Sequence, residues 1–106
     1  MDDSDLRALL ADTLAGTSAR AAVICLCAAW CGTCREFQPG FEKTAQEHLD
    51  VIFRWVDIED EADALGDLDI ETFPTLLIGD ARGVKFAGPI LPQPGQIGRL
   101  LQSLEI

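Results

Sequence analysis

Ten consecutive residues, Cys25-Leu26-Cys27-Ala28-Ala29-Trp30-Cys31-Gly32-Thr33-Cys34, leave this chain few ways to fold. An apolar run suited to a strand, residues 22–27, enters the stretch, and a helical pattern leaves it. A strand–turn–helix of this kind sets Cys31 at a helix N-terminus. Backbone N–H groups there lack carbonyl partners, and the positive end of the helix dipole stabilises an anion. A thiolate is such an anion, and the thiolate is the form that attacks disulfides. The stretch therefore predicts thiol–disulfide exchange through Cys31 and Cys34.

Periodicity organises the rest around it. Leu6, Leu9, Leu10 and Leu14 recur at helical spacing, which predicts an amphipathic helix over residues 4–15, capped by Asp2, Asp3 or Ser4 and closed by Gly16. The continuous apolar run over 22–27 suits a central strand covered on both faces, and alternation sets Cys25 and Cys27 on one face with Ile24 and Leu26 on the other. A long helix over 32–49 follows, with Phe37, Phe41, Thr44, Ala45 and His48 as its inner stripe and Pro39 kinking its axis. Residues 51–58 read as a second strand with Phe53 and Trp55 in the core, and Asp60 caps a short helix over 61–67. Beyond Phe73-Pro74, strands over 75–78 and 84–87 form a hairpin about Asp80-Ala81-Arg82-Gly83. Gly88, Pro89, Pro92 and Pro94 make an irregular link to a last helix carrying Ile97, Leu100, Leu101 and Leu104. The order α-β-α-β-α-β-β-α predicts one α/β domain over residues 1–106. Its first two strands are parallel with a right-handed crossover, and its sheet is mixed with helices on both faces.

Charge narrows the partners. With 18 Asp+Glu against 8 Lys+Arg, the net charge of −10 argues against nucleic acid and anionic membrane surfaces, which call for cationic groups. The acidic start, Met1-Asp2-Asp3-Ser4-Asp5, is unlike the basic opening of a secretory signal, so the expected location is cytoplasmic, or periplasmic had a leader been removed. A monomer is expected. All 4 cysteines lie within these ten residues, unlike the spread framework of a small secreted domain.

Trp30-Cys31-Gly32-Thr33-Cys34, Pro39 five residues after the second cysteine, and Phe73-Pro74-Thr75 before an apolar strand together resemble the thioredoxin family. Gly83 in the hairpin turn and Gly88 after the last strand fit the same pattern, and the likeness runs from residue 22 to the C-terminus. The resemblance implies a thioredoxin-like fold with a four-stranded sheet in the order 2-1-3-4. It implies Cys31 as the exposed nucleophile, Cys34 as the more buried resolving thiol, and a redox-active Cys31–Cys34 disulfide with no bound cofactor or metal. Pro74 would be cis, and Trp30, Gly32, Thr33, Phe73, Pro74, Gly88 and Pro89 would line a shallow substrate groove. Protein disulfides would be the substrates, with an external reductase or thiol as electron donor.

Two positions depart from the family pattern. Cys25 stands where thioredoxins usually carry a buried aspartate, and Trp55 replaces the lysine that partners it. Either water or a peripheral carboxylate, Glu36 or Asp57, would then take the proton of the resolving thiol, or resolution is slow. Thr33 replaces the more usual proline.

Blander readings stand beside these. Cysteine packs well as a small buried hydrophobe, which is the expected role of Cys25 and Cys27, ahead of an auxiliary redox role or a shared metal site. Zinc would need two further ligands, and His48 is the single histidine. The acidic segment from Asp57 to Asp69 reads as a solvated helix and its flanks, since it lacks calcium-loop spacing. The leading expectation is a protein disulfide oxidoreductase acting as a reductase. The alternatives are a binding module of the same fold with little turnover, or an exported disulfide-exchange protein.

Overall fold

The sheet is built outward from β1 (Ala21–Cys27) in a computed structural model of the chain, which describes residues 3–28, 31–58, 74–89 and 95–104, with side chains from residue 7 onward. Every residue of β1 is buried, as its uninterrupted apolar sequence requires of a strand covered on both sides. β2 (Val51–Asp57) lies parallel to one edge of it, and β3 (Thr75–Asp80) lies antiparallel to the other. β4 (Gly83–Pro89) closes an antiparallel hairpin with β3, so the order across the sheet is β2-β1-β3-β4. The expected mixed sheet is the one found.

Helices cover the two faces separately. α1 (Asp3–Leu14) brings Leu9 and Leu10 against Ala22, Ile24, Leu26, Val56 and Leu77. Its Thr13, which the leucine stripe leaves out, is also buried, its hydroxyl donating to the Leu9 carbonyl at 2.9 Å. α2 (Gly32–Glu47) and α3 (Gly95–Ser103) cover the opposite face, where Val23, Cys25, Cys27, Leu76 and Ile78 meet Cys34, Phe37, Phe41, Ile97 and Leu101. The alternation read from β1 therefore holds: Cys25 and Cys27 face α2, while Ile24 and Leu26 face α1. Aromatic rings seal α2 onto β2. Phe41 packs edge-on against Phe53 and Trp55, with centroids 5.4 and 5.5 Å apart.

Turn chemistry fixes the ends. Gly16 follows α1 at φ +74°, a left-handed conformation that glycine adopts without a Cβ clash. In the β3–β4 turn the Arg82 N–H donates to Asp80 Oδ1 at 2.8 Å, and Gly83 takes φ +135°. Gly88 and Pro89, expected in an irregular link, instead belong to β4, paired with Leu76 and Thr75. Proline is tolerated there because β4 is an edge strand. α2 ends at Glu47 with His48 as its C-cap, slightly before the expected residue 49, and contains Pro39 as expected. The helix expected over 61–67, Trp30, Phe73, Pro92 and Pro94 lie outside the described residues. No helix among the described residues is long and apolar enough to cross a membrane.

Candidate functional site

The cysteines gather where β1 hands over to α2. Cys31 is the N-cap of α2, with extended backbone angles (φ −86°, ψ 115°) and no capping hydrogen bond from its side chain. Its N–H donates to the Ala28 carbonyl at 3.0 Å, and its own carbonyl accepts the Arg35 N–H at 3.2 Å. Those two bonds hold the turn against the helix start. Cys31 is half-buried and its thiol is free. The expected nucleophile thus has the expected setting, at a helix N-terminus open to solvent on one side.

Cys34 lies one turn further, 1% exposed, on the inward face of α2 with Phe37 and Phe41. Its partner differs from the expectation. A disulfide joins Cys34 to Cys27, not to Cys31, with Cα atoms 5.9 Å apart, well within the span of such bridges. The reason lies in the packing. Cys27 ends β1 on the face that α2 covers, and Cys34 is the first residue of α2 to point back at that face. The role of Cys27 as a packed side chain is corrected accordingly. Alternation on β1 and the inward stripe of α2, both visible in the sequence, put Cys27 and Cys34 on facing surfaces, but the distance between them is set by how α2 lies across β1.

Cys25 keeps the packing role. It is fully buried, and burial pushes its thiol up from 9.0 to about 12. Its sulfur lies 3.7 Å from that of Cys27. Because Cys27 is bonded through sulfur, the Cys25 S–H is the donor in that contact.

Strand register brings further residues level with the disulfide. Asp57 pairs with Cys27 in the parallel ladder, two residues beyond the Cys25–Trp55 pair, so it shares the α2 side of the sheet. On the other flank Leu26 pairs with Thr75, and continuing that register by one residue brings Pro74 level with Cys27. Pro74 is buried, as is Gly88, whereas Pro89 is exposed. Gly32 is exposed and Thr33 half-buried in the first turn of α2, and Glu36 is exposed on its outer side. Of these two carboxylates, the fold brings Asp57 level with the cysteine end of β1 and leaves Glu36 exposed on the outside of α2. Among the described residues, no group of three or more His, Cys, Asp and Glu is arranged to hold a metal ion.

Comparison with known proteins bears on the family and the fold. The family profile described as Thioredoxin matches residues 8–88. A thioredoxin H-type of Brassica campestris is 38% identical over 55 residues, covering 52% of this chain and 45% of that protein. The crystal structure of spinach chloroplast thioredoxin F (long form) superposes with a TM-score of 0.69 at 28% identity, over 82% of this chain and 72% of that one. The structure of Fasciola hepatica thioredoxin gives a TM-score of 0.76 over 89% of each chain, at 21% identity a likeness of fold. The matches span less than half the length of the curated relatives in Streptomyces, spinach and Brassica. Sheet order, the helix-capping cysteine and a profile match over most of the chain agree, and this chain belongs to the thioredoxin family.

Proposed function

We propose that this chain is a thiol–disulfide oxidoreductase that reduces protein disulfides through Cys31 and Cys34. The observation that carries the reading is the free, half-buried Cys31 thiol at the N-terminus of α2, with Cys34 one turn behind it on the same helix. The Cys31 thiolate attacks one sulfur of a substrate disulfide, forming a mixed disulfide and releasing the other substrate sulfur as a thiolate. Cys34 gives up its proton, for which Asp57 is the acceptor, and attacks the Cys31 sulfur. The second substrate thiolate leaves, and Cys31–Cys34 is oxidised. An external dithiol or reductase returns the two electrons, so no bound cofactor takes part.

The substrate groove is drawn from Gly32, Thr33, Pro74, Gly88 and Pro89, and the family resemblance adds Trp30 and Phe73 to it. Two physical features support it. Pro74 has no N–H to compete with a docking strand, and Gly88 has no side chain to obstruct one. The protein acts as a monomer in a reducing compartment, the cytoplasm by preference, where a dithiol is maintained.

The test is dithiothreitol-driven insulin reduction by wild type, Cys31→Ser and Cys34→Ser. Turnover by wild type alone, with Cys34→Ser accumulating mixed disulfides, supports the dithiol mechanism. An inactive wild type would leave a module that binds its partners without turning over.

A further inference from the structure

We propose that Cys27 is a third redox-active cysteine: it takes Cys34 over from Cys31, so that the oxidised protein holds a buried Cys27–Cys34 bond and presents a free Cys31 thiol. This rests on the reading of Cys31 and Cys34 as the exchanging pair and adds a step that follows it. The Cys27 thiol gives up its proton to water as its sulfur attacks the Cys34 sulfur of the Cys31–Cys34 disulfide. The Cys27–Cys34 bond forms, the Cys31–Cys34 bond breaks, and Cys31 leaves as a thiolate. No electrons are gained or lost, so no oxidant is called for.

Three observations favour the exchange. The Cys27–Cys34 pair is the one bonded in the structure, with Cα atoms 5.9 Å apart. Cys34 can serve both partners, because Cys31 and Cys34 are neighbours on a helix at i, i+3 while Cys27 faces it from the sheet. The two isomers also differ in which sulfur is left over. With Cys31–Cys34 bonded, the leftover is Cys27, 0% exposed in an apolar core where a thiolate is disfavoured. With Cys27–Cys34 bonded, it is Cys31, half-buried at the N-terminus of α2 and in reach of solvent. The buried isomer therefore leaves the displaced sulfur where water can reach it. The Cys25 S–H, 3.7 Å from the Cys27 sulfur, can donate to that sulfur when it is released on reduction.

The chemical consequence is specific. The oxidised protein shows solvent a single thiol in place of a surface disulfide. Cys31 can still form a mixed disulfide in this state, but Cys34 cannot resolve it until the Cys27–Cys34 bond is opened. Oxidation then converts a dithiol reductase into a protein that captures disulfides without releasing them.

Differential alkylation tests this directly. The protein is oxidised with diamide, denatured in acid, labelled with N-ethylmaleimide, reduced, and labelled again with iodoacetamide. Trypsin cuts after Arg20 and Arg35, so one peptide carries all 4 cysteines and fragmentation assigns each label. The expected pattern is maleimide on Cys25 and Cys31, and acetamide on Cys27 and Cys34. Acetamide on Cys31 and Cys34 with maleimide on Cys27 would overturn the proposal. Cys31→Ser should still protect Cys27 and Cys34 on oxidation; if all its cysteines take maleimide, the proposal fails. A tenfold preference for the buried isomer makes wild type easier to oxidise than Cys27→Ala by about 30 mV. Coincident midpoints would also overturn it. Insulin turnover by wild type is scored separately. Activity with a Cys31–Cys34 map removes the third-cysteine step alone, and inactivity with a Cys27–Cys34 map removes the reductase reading alone.

Discussion

Cys27, the last residue of β1, is bonded to Cys34 in the first turn of α2 across a sequence separation of 7. The bridge ties the central strand to the helix that presents Cys31. Closing a loop this short removes unfolded-chain entropy worth about 2.5 kcal/mol. In Cys31→Ser, where no competing surface disulfide can form, oxidation should raise the urea unfolding free energy by roughly that amount. Identical curves for the oxidised and reduced variant would contradict the bond.

The buried Cys25 thiol makes stability depend on pH at the alkaline end. Its folded value of about 12 lies above the 9.0 of an exposed thiol. Between those values the unfolded chain loses a proton that the native protein keeps. The stabilisation is complete below pH 9 and is lost as pH rises toward 12, by up to about 1.4 kcal/mol per pH unit. Urea unfolding of the reduced protein from pH 8 to 10.5 should fall more steeply for wild type than for Cys25→Ala. Parallel slopes would rule out this coupling.

Asp57 and Glu36 are separated by their placement. Asp57 lies level with Cys27 on the α2 side of the sheet, while Glu36 points outward. As the proton acceptor for Cys34, Asp57→Asn should slow release of substrate from the Cys31 mixed disulfide by about tenfold or more, while Glu36→Gln leaves it unchanged. Stopped-flow measurement of that release distinguishes them. Equal effects of the two substitutions would remove Asp57 from the mechanism.

Gly79 sits where α1 meets the hairpin. A Cβ there would stand 2.5 Å from the Gly83 carbonyl oxygen and 2.6 Å from Leu10 Cδ2, and the first of these is backbone that cannot swing aside. Gly79→Ala should therefore cost about 1–3 kcal/mol and lower the melting temperature, without changing turnover per folded molecule. An unchanged melting temperature would show that the hairpin yields more easily than its geometry implies.

Much of this arrangement was legible before any coordinates. The apolar run of β1 and the alternation of Cys25 and Cys27 against Ile24 and Leu26 needed only the two-residue period of a strand. The same held for the stripe of Phe37, Phe41 and Thr44 on α2, and for the Asp80–Gly83 turn, since helical periodicity and turn chemistry are local. Gly88 and Pro89 read as breakers in the sequence, yet an edge strand tolerates them and β4 contains both.

The sequence by itself determined which residues form strand, turn and helix, that Cys31 caps α2, and which way each cysteine on β1 faces. Spacing along the chain sets all of these. The partner of Cys34 was decided only by tertiary structure. Cys31 and Cys34 are neighbours by helical geometry alone, but the distance from Cys27 to Cys34 depends on how α2 lies back across β1, which the whole core of that face sets. The same holds for Asp57, which comes level with Cys27 through the β1–β2 register, a contact between strands that no local spacing encodes.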